Sequence, residues 1–224
     1  MSSFALKLIA MVTMLIDHIG AVLIPMSDPS YEIIRIIGRI AFPIYVFMLV
    51  EGFYHTKNIN KYLFRLGIFA LISEIPFDLA FHRSLGEFNY QNIFFTLFIG
   101  LGMMYLMSII ETRFAKNILA SNFLDAVVLI LACLVAEVLR VDYGAPGIIL
   151  IAVFYLFRKS KFMLTLMVFV VLNYYLGGIS IFGIASLIFI FLYNGKKGKE
   201  VKYLFYGFYP VHLLVLFGIS LLIR

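Results

Sequence analysis

Long runs of apolar residues divide this chain into segments joined by short polar loops. The first run, residues 4–24, has the sequence FALKLIAMVTMLIDHIGAVLI, and a helix of about 20 apolar residues crosses a hydrocarbon core of about 30 Å. Further runs follow along the whole chain, although those between Tyr143 and Tyr193 are short, and two or four helices could occupy that stretch. The predicted spans are Phe4–Ile24, Glu32–Tyr54, Lys61–Ala80, Asn92–Ile110, Asn122–Leu139, Tyr143–Phe157, Phe162–Leu176, Ile179–Tyr193 and Tyr203–Leu222.

The backbone of a membrane span has to satisfy its own hydrogen bonds, because hydrocarbon offers no partners. We therefore predict an all-α fold, a polytopic transmembrane helical bundle of about nine spans. No long linker or change of composition divides the chain, so we expect residues 1–224 to form a single transmembrane domain.

Composition excludes a soluble protein, since 63% of the residues are hydrophobic and only 13% are charged. The net charge of +6 would suit a nucleic-acid-binding protein, but the basic residues lie in short loops between the predicted spans. We therefore expect the lipid bilayer, and no nucleic acid, as a partner. Cys133 is the one cysteine of the chain, so no internal disulfide can form, and a buried structural thiol is expected.

Basic residues concentrate in every second loop. Lys57 and Lys61 lie in the second connection, and the fourth, sixth and eighth connections are also basic, whereas the odd-numbered connections hold few Lys or Arg. Cytoplasmic loops of membrane proteins carry an excess of Lys and Arg. The alternation therefore predicts a cytoplasmic N-terminus, cytoplasmic basic loops and an external C-terminus. The basic connections are His55–Lys61, Glu111–Ser121, Arg158–Lys161 and Asn194–Lys202.

Ionisable side chains interrupt the apolar runs, although each costs about 2.5–3.5 kcal/mol to insert. In the predicted topology they share one depth near the outer face, which we interpret as a water-filled cavity open to the outside. A simpler alternative is that Arg35 and Arg39 pair with Glu74 and Asp78 only to hold the bundle together. The polar residues of this layer include Asp17, His18, Arg35, Arg39, Glu74, Asp78, Asn89, Gln91, Asn92, Tyr209 and His212.

His18 is the candidate general base of this layer, because imidazole has an unperturbed pKa of about 6.5. Asp17 points about 100° away around the helix, so Glu74 or Asp78 is predicted to orient His18. The arginines of the layer stay protonated and can hold an anionic donor or an oxyanion. No metal site is predicted, since the sequence has no His-x-x-x-His motif and its cysteine is alone.

Several segments resemble the TraX family. KLIAMVTMLIDHIGAVLIP, RIIGRIAFPIYVFMLVEGFYHTKN, YLFRLGIFALISEIPFDLAF and NYQNIFFTLFIGL occur in the family's order, and FYPVHLLVL resembles its closing span. The family takes its name from a conjugation protein that N-acetylates the amino terminus of F-type pilin. It is more remotely similar to membrane acyltransferases that modify extracytoplasmic glycans, in which a first-span histidine is held to be catalytic and nearby arginines serve the acyl donor.

The resemblance implies that His18 is the catalytic histidine, that Arg35 and Arg39 serve the donor acetyl-CoA, and that the protein lies in the bacterial cytoplasmic membrane. Our hypothesis places the phosphates of acetyl-CoA near Lys57 and Lys61, with the acyl end reaching the outer cavity. His18 would deprotonate an acceptor arriving from outside, such as the N-terminal amine of a pilin-like peptide. The residues expected to bind this acceptor are Asn89, Gln91, Asn92, Tyr209 and His212.

Three alternatives stay open. The same chemistry could acetylate a cell-surface polysaccharide or a lipid-linked glycan in place of a peptide. A proton-coupled transporter would also use a polar layer, but charged groups are scarce in the inner halves of the predicted spans, so no continuous polar path is evident. A structural or assembly protein without turnover is the third. Release of CoA from acetyl-CoA would separate the enzyme from the other two classes.

Overall fold

The protein is helical throughout the residues that a computed structural model describes, 1–86, 90–199 and 202–223. Helix α8 continues into a π-helical turn, Val171–Leu176, and a 3₁₀ segment, Gly178–Ala185, leads into α9. The helices are α1 (Ser3–Leu23), α2 (Pro29–Gly38), α3 (Ala41–His55), α4 (Ile59–Phe81), α5 (Ile93–Arg113), α6 (Ile118–Val138), α7 (Gly144–Leu156), α8 (Lys161–Val170), α9 (Ser186–Phe191) and α10 (Lys202–Leu222).

Polar residues in the loops define where many of these helices begin. Ser2, Asp28, Asn58 and Asn92 each accept a hydrogen bond from a backbone N–H of the first turn that follows. A side-chain oxygen at this position satisfies one of the donors that the helix leaves open. The short polar loops between apolar runs therefore set the helix boundaries.

The second predicted span differs from the prediction, because it is divided into α2 and α3 at Arg39 and Ile40. Pro43 lies in the first turn of α3, and its ring nitrogen cannot donate to the Arg39 carbonyl one turn earlier. The break therefore falls where the sequence removes a helical hydrogen bond. Helix α2 packs against α1 and the 3₁₀ segment, and α3 contacts α1, α5, α7 and α9.

Large apolar side chains cover much of the outer surface. Phe123, Ile130, Leu134 and Val138 on α6 are each more than half exposed, which suits hydrocarbon and not water. Among the described residues, five helices are long and apolar enough to cross a membrane: Ser3–Leu23, Pro29–His55, Ile93–Arg113, Ile118–Val138 and Leu204–Leu222.

The remaining predicted spans also form helices. Helix α4 has 23 residues but carries charges along its length, and the three short apolar segments are Gly144–Leu156, Lys161–Leu176 and Gly178–Phe191. These segments match the three short predicted runs between Tyr143 and Tyr193. The all-α fold is thus confirmed among the described residues, and the five candidate spans are consistent with a helical membrane bundle.

Helix α3 lies in the middle of the bundle, in contact with α1, α5, α7 and α9, while α10 packs between α1 and α4. We call the end of the bundle that holds Met1, His55 and the 194–199 loop the basic end. At the opposite end, the loops before α5 and before α7 are joined, because the Gln91 N–H donates to the Arg140 carbonyl (2.9 Å) and the Asp142 N–H donates to the Gln91 carbonyl (2.8 Å).

Candidate functional site

Two histidines from the first and last helices form a hydrogen-bonded pair. His18 Nδ1 lies 2.7 Å from His212 Nε2, and the two rings are almost parallel, with an interplanar angle of 4°. Phe81 and Tyr209 meet the His18 ring edge to face, at centroid distances of 5.3 and 6.1 Å. Aromatic packing and one hydrogen bond therefore fix the orientation of the His18 ring.

The hydrogen-bond pattern fixes the tautomer of both imidazoles. His212 Nδ1 lies 2.8 Å from the Phe208 carbonyl oxygen, which can only accept, so this nitrogen carries the hydrogen. In a neutral His212, Nε2 is then the acceptor, and His18 Nδ1–H donates to it. His18 Nε2 keeps its lone pair, which is the form that a general base requires.

This partner differs from the expectation that Glu74 or Asp78 would orient His18. Glu74 accepts hydrogen bonds from the backbone N–H and side-chain amide of Asn92. Asp78 is paired with His82 one turn later, at 3.6 Å. Both carboxylates lie on α4: Glu74 is beside Asn92 at the start of α5, and Asp78 is beside His82 at the end of α4. Helix α10 instead brings His212 to His18.

Asp17 lies between the two arginines of the second span. Its carboxylate accepts from Arg35 Nη1 (2.8 Å) and from Arg39 Nη2 (2.7 Å), one arginine on each oxygen. The Arg39 Nε–H also donates to the Arg35 carbonyl at 3.2 Å. The arginines are thus paired within α1 and α2, and the alternative in which they pair with Glu74 and Asp78 is wrong.

The pairing places the arginines away from the main cavity, and their expected role with the acyl donor stays a prediction. With both guanidiniums bonded to Asp17, they lie behind this carboxylate, and Arg35 and Arg39 are not among the residues that line the main cavity. Sequence reasoning placed Asp17 in the polar layer but considered only Glu74 and Asp78 as partners for Arg35 and Arg39. The signal was present, since an acidic residue in the outer half of one span faced two arginines at the same predicted depth in the next.

An elongated cavity of about 540 Å³ runs through the bundle and reaches His18. Along α1 it is lined by Ser3, Lys7, Met14, Asp17 and His18. The 15 positions between Ser3 and His18 correspond to a rise of about 22 Å along a helix. Pockets of this volume hold small molecules, and this one has the shape for a long and narrow ligand.

The cavity opens at the basic end. Among its described lining residues, the exposed ones are His55, Gly195, Lys197 and Lys199, all of which lie at that end. The main cavity therefore opens away from the end at which the sequence predicted an opening, while a second cavity lies at that opposite end. At the inner end of the cavity, the buried Asp17 forms ion pairs with Arg35 and Arg39. An ion-paired cluster therefore lies next to His18 at that end.

The cations at the mouth of the cavity are not those predicted. Lys57 and Lys61 are exposed on the basic end, and they are not among the lining residues. The lining cations are Lys7, Arg65, Lys197 and Lys199. The sequence predicted the phosphates beside the basic second connection, whereas the tertiary structure brings the N-terminal helix and the 194–199 loop to the mouth.

The predicted acceptor-binding residues are divided between two places. Tyr209 is buried and lines the cavity beside His18. Gln91 joins the two loops at the opposite end. Asn92 is fully buried, begins α5, and donates its amide to the Ala70 carbonyl at 2.8 Å. Asn89 lies outside the described residues.

Asp142 closes the far end of the cavity from the loop before α7. Its carboxylate accepts from the Tyr90 hydroxyl at 3.0 Å and faces Arg39. Burial raises the pKa of Asp142 to about 6, although the Tyr90 hydrogen bond and Arg39 both act in the other direction. This carboxyl therefore changes charge closer to neutral pH than an exposed aspartate does.

A second cavity, of about 470 Å³, lies at the opposite end of α1. Ala21 and Val22 line it, three and four residues after His18, on the same face of the helix. Arg83 and Ser220 contribute its polar groups and are hydrogen-bonded to one another at 3.3 Å. The two cavities thus approach the His18 layer from the two ends of the bundle.

Comparisons with known proteins find similarity along almost the full length of the chain. The family model described as TraX protein matches residues 2–220. A relative in Dichelobacter nodosus, named "Probable fimbrial assembly protein FimC, serogroup H1", is 34% identical, and the alignment covers 96% of this chain and 94% of that protein. An uncharacterized protein of Rickettsia prowazekii is 30% identical over 74% of this chain and 59% of its own length. No solved structure matches.

Proposed function

Because this chain belongs to the TraX family, we propose that it is an integral membrane acyltransferase that moves an acetyl group from acetyl-CoA to an acceptor outside the cytoplasm. The acceptor in this proposal is the N-terminal amine of a pilin-like peptide. The name of the Dichelobacter nodosus relative, a fimbrial assembly protein, supports this choice. The proposed location is the cytoplasmic membrane of a bacterium, with the basic end facing the cytoplasm.

The cavity that joins the basic end to His18 carries the proposal. Acetyl-CoA is made in the cytoplasm, so its thioester has to reach an acceptor on the other side of the bilayer. A cavity with its mouth among cations and its far end at a neutral imidazole allows this arrangement. The second cavity, which begins one helical turn beyond His18, gives the acceptor a separate approach from the opposite side.

In the proposed reaction the acceptor nitrogen attacks the thioester carbonyl carbon, and His18 Nε2 takes a proton from that nitrogen. The tetrahedral intermediate then collapses, the carbon–sulfur bond breaks, and the proton passes from His18 to the departing CoA sulfur. The products are the N-acetylated peptide and CoA thiol. His212 stabilises the imidazolium, since its Nε2 accepts the hydrogen of His18 Nδ1 throughout.

Tyr209 is the proposed donor to the oxyanion of the intermediate. The centroid of its ring lies 6.1 Å from that of His18, and both side chains line the main cavity. Arg35 and Arg39 stabilise Asp17 instead, and this pairing holds α1 against α2 at the level of the reacting groups. Removal of an oxyanion donor typically costs a factor of about 10²–10³ in kcat.

The test uses purified protein in lipid vesicles, acetyl-CoA and a synthetic peptide with a free amino terminus. Thiol release and the mass of the peptide are measured for the wild type and for His18→Ala. We expect loss of acetylation in His18→Ala and normal activity in His82→Ala, which removes a histidine that does not line the cavity. Normal turnover by a folded His18→Ala variant would disprove the assignment.

Two substrate controls distinguish the acceptor classes. A peptide with a blocked amino terminus should not be acetylated, because it offers no amine to His18. A polysaccharide or a lipid-linked glycan is supplied in parallel, and a gain of acetyl ester on the glycan with no change in peptide mass would replace the peptide acceptor by the glycan one. Absence of CoA release with either acceptor would contradict the enzyme proposal.

A further inference from the structure

Acetylation of an amine requires two proton transfers, and His18 accounts for one of them. An N-terminal amine has a pKa of about 7.7–8.0, so at neutral pH it reaches the site mostly as an ammonium ion. This ion has to lose one proton before it can attack the thioester and a second one afterwards. His18 takes the second proton and returns it to the CoA sulfur. The first proton therefore needs another acceptor in the same site.

Asp142 is a carboxylate of the main cavity that the proposed reaction has not yet used. It lines the same cavity as His18 and Tyr209. Asp17 also lines this end of the cavity, but each of its carboxylate oxygens is already bonded to an arginine. Within the described part of the chain, Asp142 forms no salt bridge of this kind, so its carboxylate can accept a proton from a ligand.

The loop before α7 holds Asp142 in a fixed position. Its N–H donates to the Gln91 carbonyl at 2.8 Å, and its carbonyl accepts from the Thr96 hydroxyl. The next residue, Tyr143, has a φ of +63°, in the left-handed region that residues other than glycine rarely adopt. The Tyr143 ring stacks on that of Phe42 with a centroid distance of 3.8 Å. Strained backbone of this kind occurs mainly at functional sites, and here it lies directly beside a carboxylate of the cavity.

Asp142 is also connected to the surface at the end opposite the cavity mouth. Its carboxylate accepts from the Tyr90 hydroxyl at 3.0 Å, and Tyr90 is 40% exposed. Burial raises the pKa of Asp142 to about 6, although Tyr90 and Arg39 favour its ionised form. It therefore binds a proton more readily than an exposed aspartate does. The charged and titratable groups that surround it are Asp17, Arg39, Tyr90, Tyr143 and Tyr209.

We propose that Asp142 takes the first proton from the ammonium form of the acceptor, so that two bases serve the two proton transfers. This inference rests on the acyltransferase proposal. It adds a catalytic residue that an amine acceptor needs and that a hydroxyl acceptor, which carries no such proton, does not need.

The proposed steps balance in atoms and charge. The ammonium nitrogen passes one proton to the Asp142 carboxylate and becomes a neutral amine. The amine attacks the thioester carbonyl, and His18 carries its second proton to the sulfur as the carbon–sulfur bond breaks. Asp142 then releases its proton to water at the exposed Tyr90. One ammonium ion and one acetyl-CoA are consumed, and one amide, one CoA thiol and one proton are released.

The test compares two acceptor peptides that differ in the protonation of the terminal nitrogen. One peptide has an ordinary amino terminus, and the other ends in an aminooxyacetyl group, whose far less basic nitrogen is neutral at pH 7. Acetylation of each is measured with acetyl-CoA and purified protein in lipid vesicles. At pH 7, Asp142→Asn should lower kcat for the amino peptide at least about 10²-fold, the lower end of what a general base contributes. The kcat for the aminooxy peptide should stay almost the same.

Further variants separate a proton acceptor from a residue with a purely structural role. Asp142→Glu keeps a carboxylate and should restore part of the activity on the amino peptide. Tyr90→Phe removes the hydroxyl that joins Asp142 to the surface and should slow the amino peptide only. Glu32→Gln is the matched control, since it removes an exposed carboxylate of α2 that does not line the cavity. At pH 9 the amino terminus is itself mostly neutral, so Asp142→Asn should approach the activity of the wild type there.

The outcomes separate this inference from the function on which it rests. If Asp142→Asn lost activity equally on both peptides, or lost none on the amino peptide, the role of Asp142 would be overturned and the acyltransferase would stand. If the wild type acetylated neither peptide, the proposed function would fail and this inference with it. Unfolding temperatures show whether Asp142→Asn is folded. If it is not, Tyr90→Phe and Asp142→Glu carry the test, and equal effects of these variants on the two peptides would overturn the inference.

Discussion

The pair formed by His18 and His212 shows how one backbone carbonyl can set the chemistry of a distant ring. The Phe208 carbonyl fixes the hydrogen on His212 Nδ1, His212 Nε2 then fixes the hydrogen on His18 Nδ1, and the lone pair of His18 Nε2 remains. Each step follows from which atoms can donate and which can only accept. A carboxylate in the same place would orient His18 equally well but would add a charge to the interior.

Substitution of His212 tests its orienting role. His212→Ala should lower kcat by at least about tenfold, because His18 loses the acceptor that fixes its tautomer and stabilises its charged form. His212→Gln keeps an acceptor oxygen and should retain more activity than His212→Ala. Acetylation is measured against pH, since a positioning role changes the pH profile as well as the rate. Equal kcat and an unchanged profile in His212→Ala would contradict the proposed relay.

Asp17 is the second position where one side chain determines the state of others. Asp17→Asn leaves two guanidiniums without their counter-ion, and breaking a buried ion pair costs about 3–5 kcal/mol. We expect a corresponding loss in the free energy of unfolding, measured by titration with sodium dodecyl sulfate. Glu32→Gln on α2 removes an exposed carboxylate and serves as the control. If both variants were equally stable, the ion pairs would have no structural role.

Contacts between whole helices place the residues of the candidate site. Helix α1 contacts α2, α3 and α10, so one helix presents Asp17 to the arginines of the second span and His18 to the histidine of the last. The two residues point about 100° apart, and this difference allows them to serve separate partners. The close approach of α1 and α2 depends on a glycine, because a Cβ at Gly38 would lie 2.1 Å from Asp17 Oδ1.

Gly38→Ala should therefore push α2 away from α1 and weaken both ion pairs of Asp17. Overpacking of this kind typically costs about 1–3 kcal/mol, which a lower unfolding temperature in detergent would reveal. Gly102→Ala on α5 is the matched control, because a Cβ there meets nothing within 4 Å. Alanine in a helix interior is more favourable than glycine, so the control should be neutral or stabilising. Destabilisation of the two variants to the same degree would argue against a close contact at Gly38.

The loop before α7 gives a pH-dependent contribution to stability. Burial raises the pKa of Asp142 to about 6, above the value of about 3.9 for an exposed aspartate. Between these values the folded protein binds more protons than the unfolded chain, so this group lowers stability as pH rises from about 4 to 6. Asp142→Asn should thus gain stability relative to the wild type over that range. A difference in unfolding temperature that stays constant from pH 4 to 7 would contradict the raised pKa.

The whole molecule has an asymmetric charge distribution around an apolar middle. The basic end holds cations that line the main cavity and others that are exposed outside it: Lys7, Arg65, Lys197 and Lys199 in the lining, and Lys57, Lys61 and Lys116 outside it. The other end has few cations, and its Asp142 lies beside an ion-paired cluster. An apolar outer surface, best seen on α6, separates the two ends. Because cytoplasmic loops carry an excess of Lys and Arg, we expect this asymmetry to orient the basic end, and with it the mouth of the main cavity, toward the cytoplasm.

Labelling of introduced cysteines tests the orientation. In a Cys133→Ala background, Leu85→Cys at the opposite end should react with a membrane-impermeant maleimide in intact spheroplasts. Lys57→Cys and Lys116→Cys at the basic end should react only after the membrane is permeabilised. All three positions are exposed, so burial does not limit the reaction. The reverse pattern would place the cavity mouth outside and contradict donor entry from the cytoplasm.

The pattern of apolar runs was sufficient for the class of fold and for the positions of the helices. Hydrocarbon length fixes the number of residues per span, and Ser2, Asn58 and Asn92 mark helix starts that lie within a few residues of the predictions. The sequence also indicated that His18, Arg35 and Arg39 lie at a similar depth. Depth follows from position along a span, so it is accessible without tertiary structure.

Which polar side chains become partners depends on how the helices are rotated and packed against one another. The linear pattern of the sequence carries no information about this packing. Rotation and neighbour choice decided that His18 meets His212, that Asp17 receives both arginines, and that Glu74 meets Asn92. They also decided that the cavity opens beside Lys7 and Lys197 and not beside Lys57. Every polar side chain in these spans has several possible partners at its own depth, and only the relative orientation of the helices selects one of them.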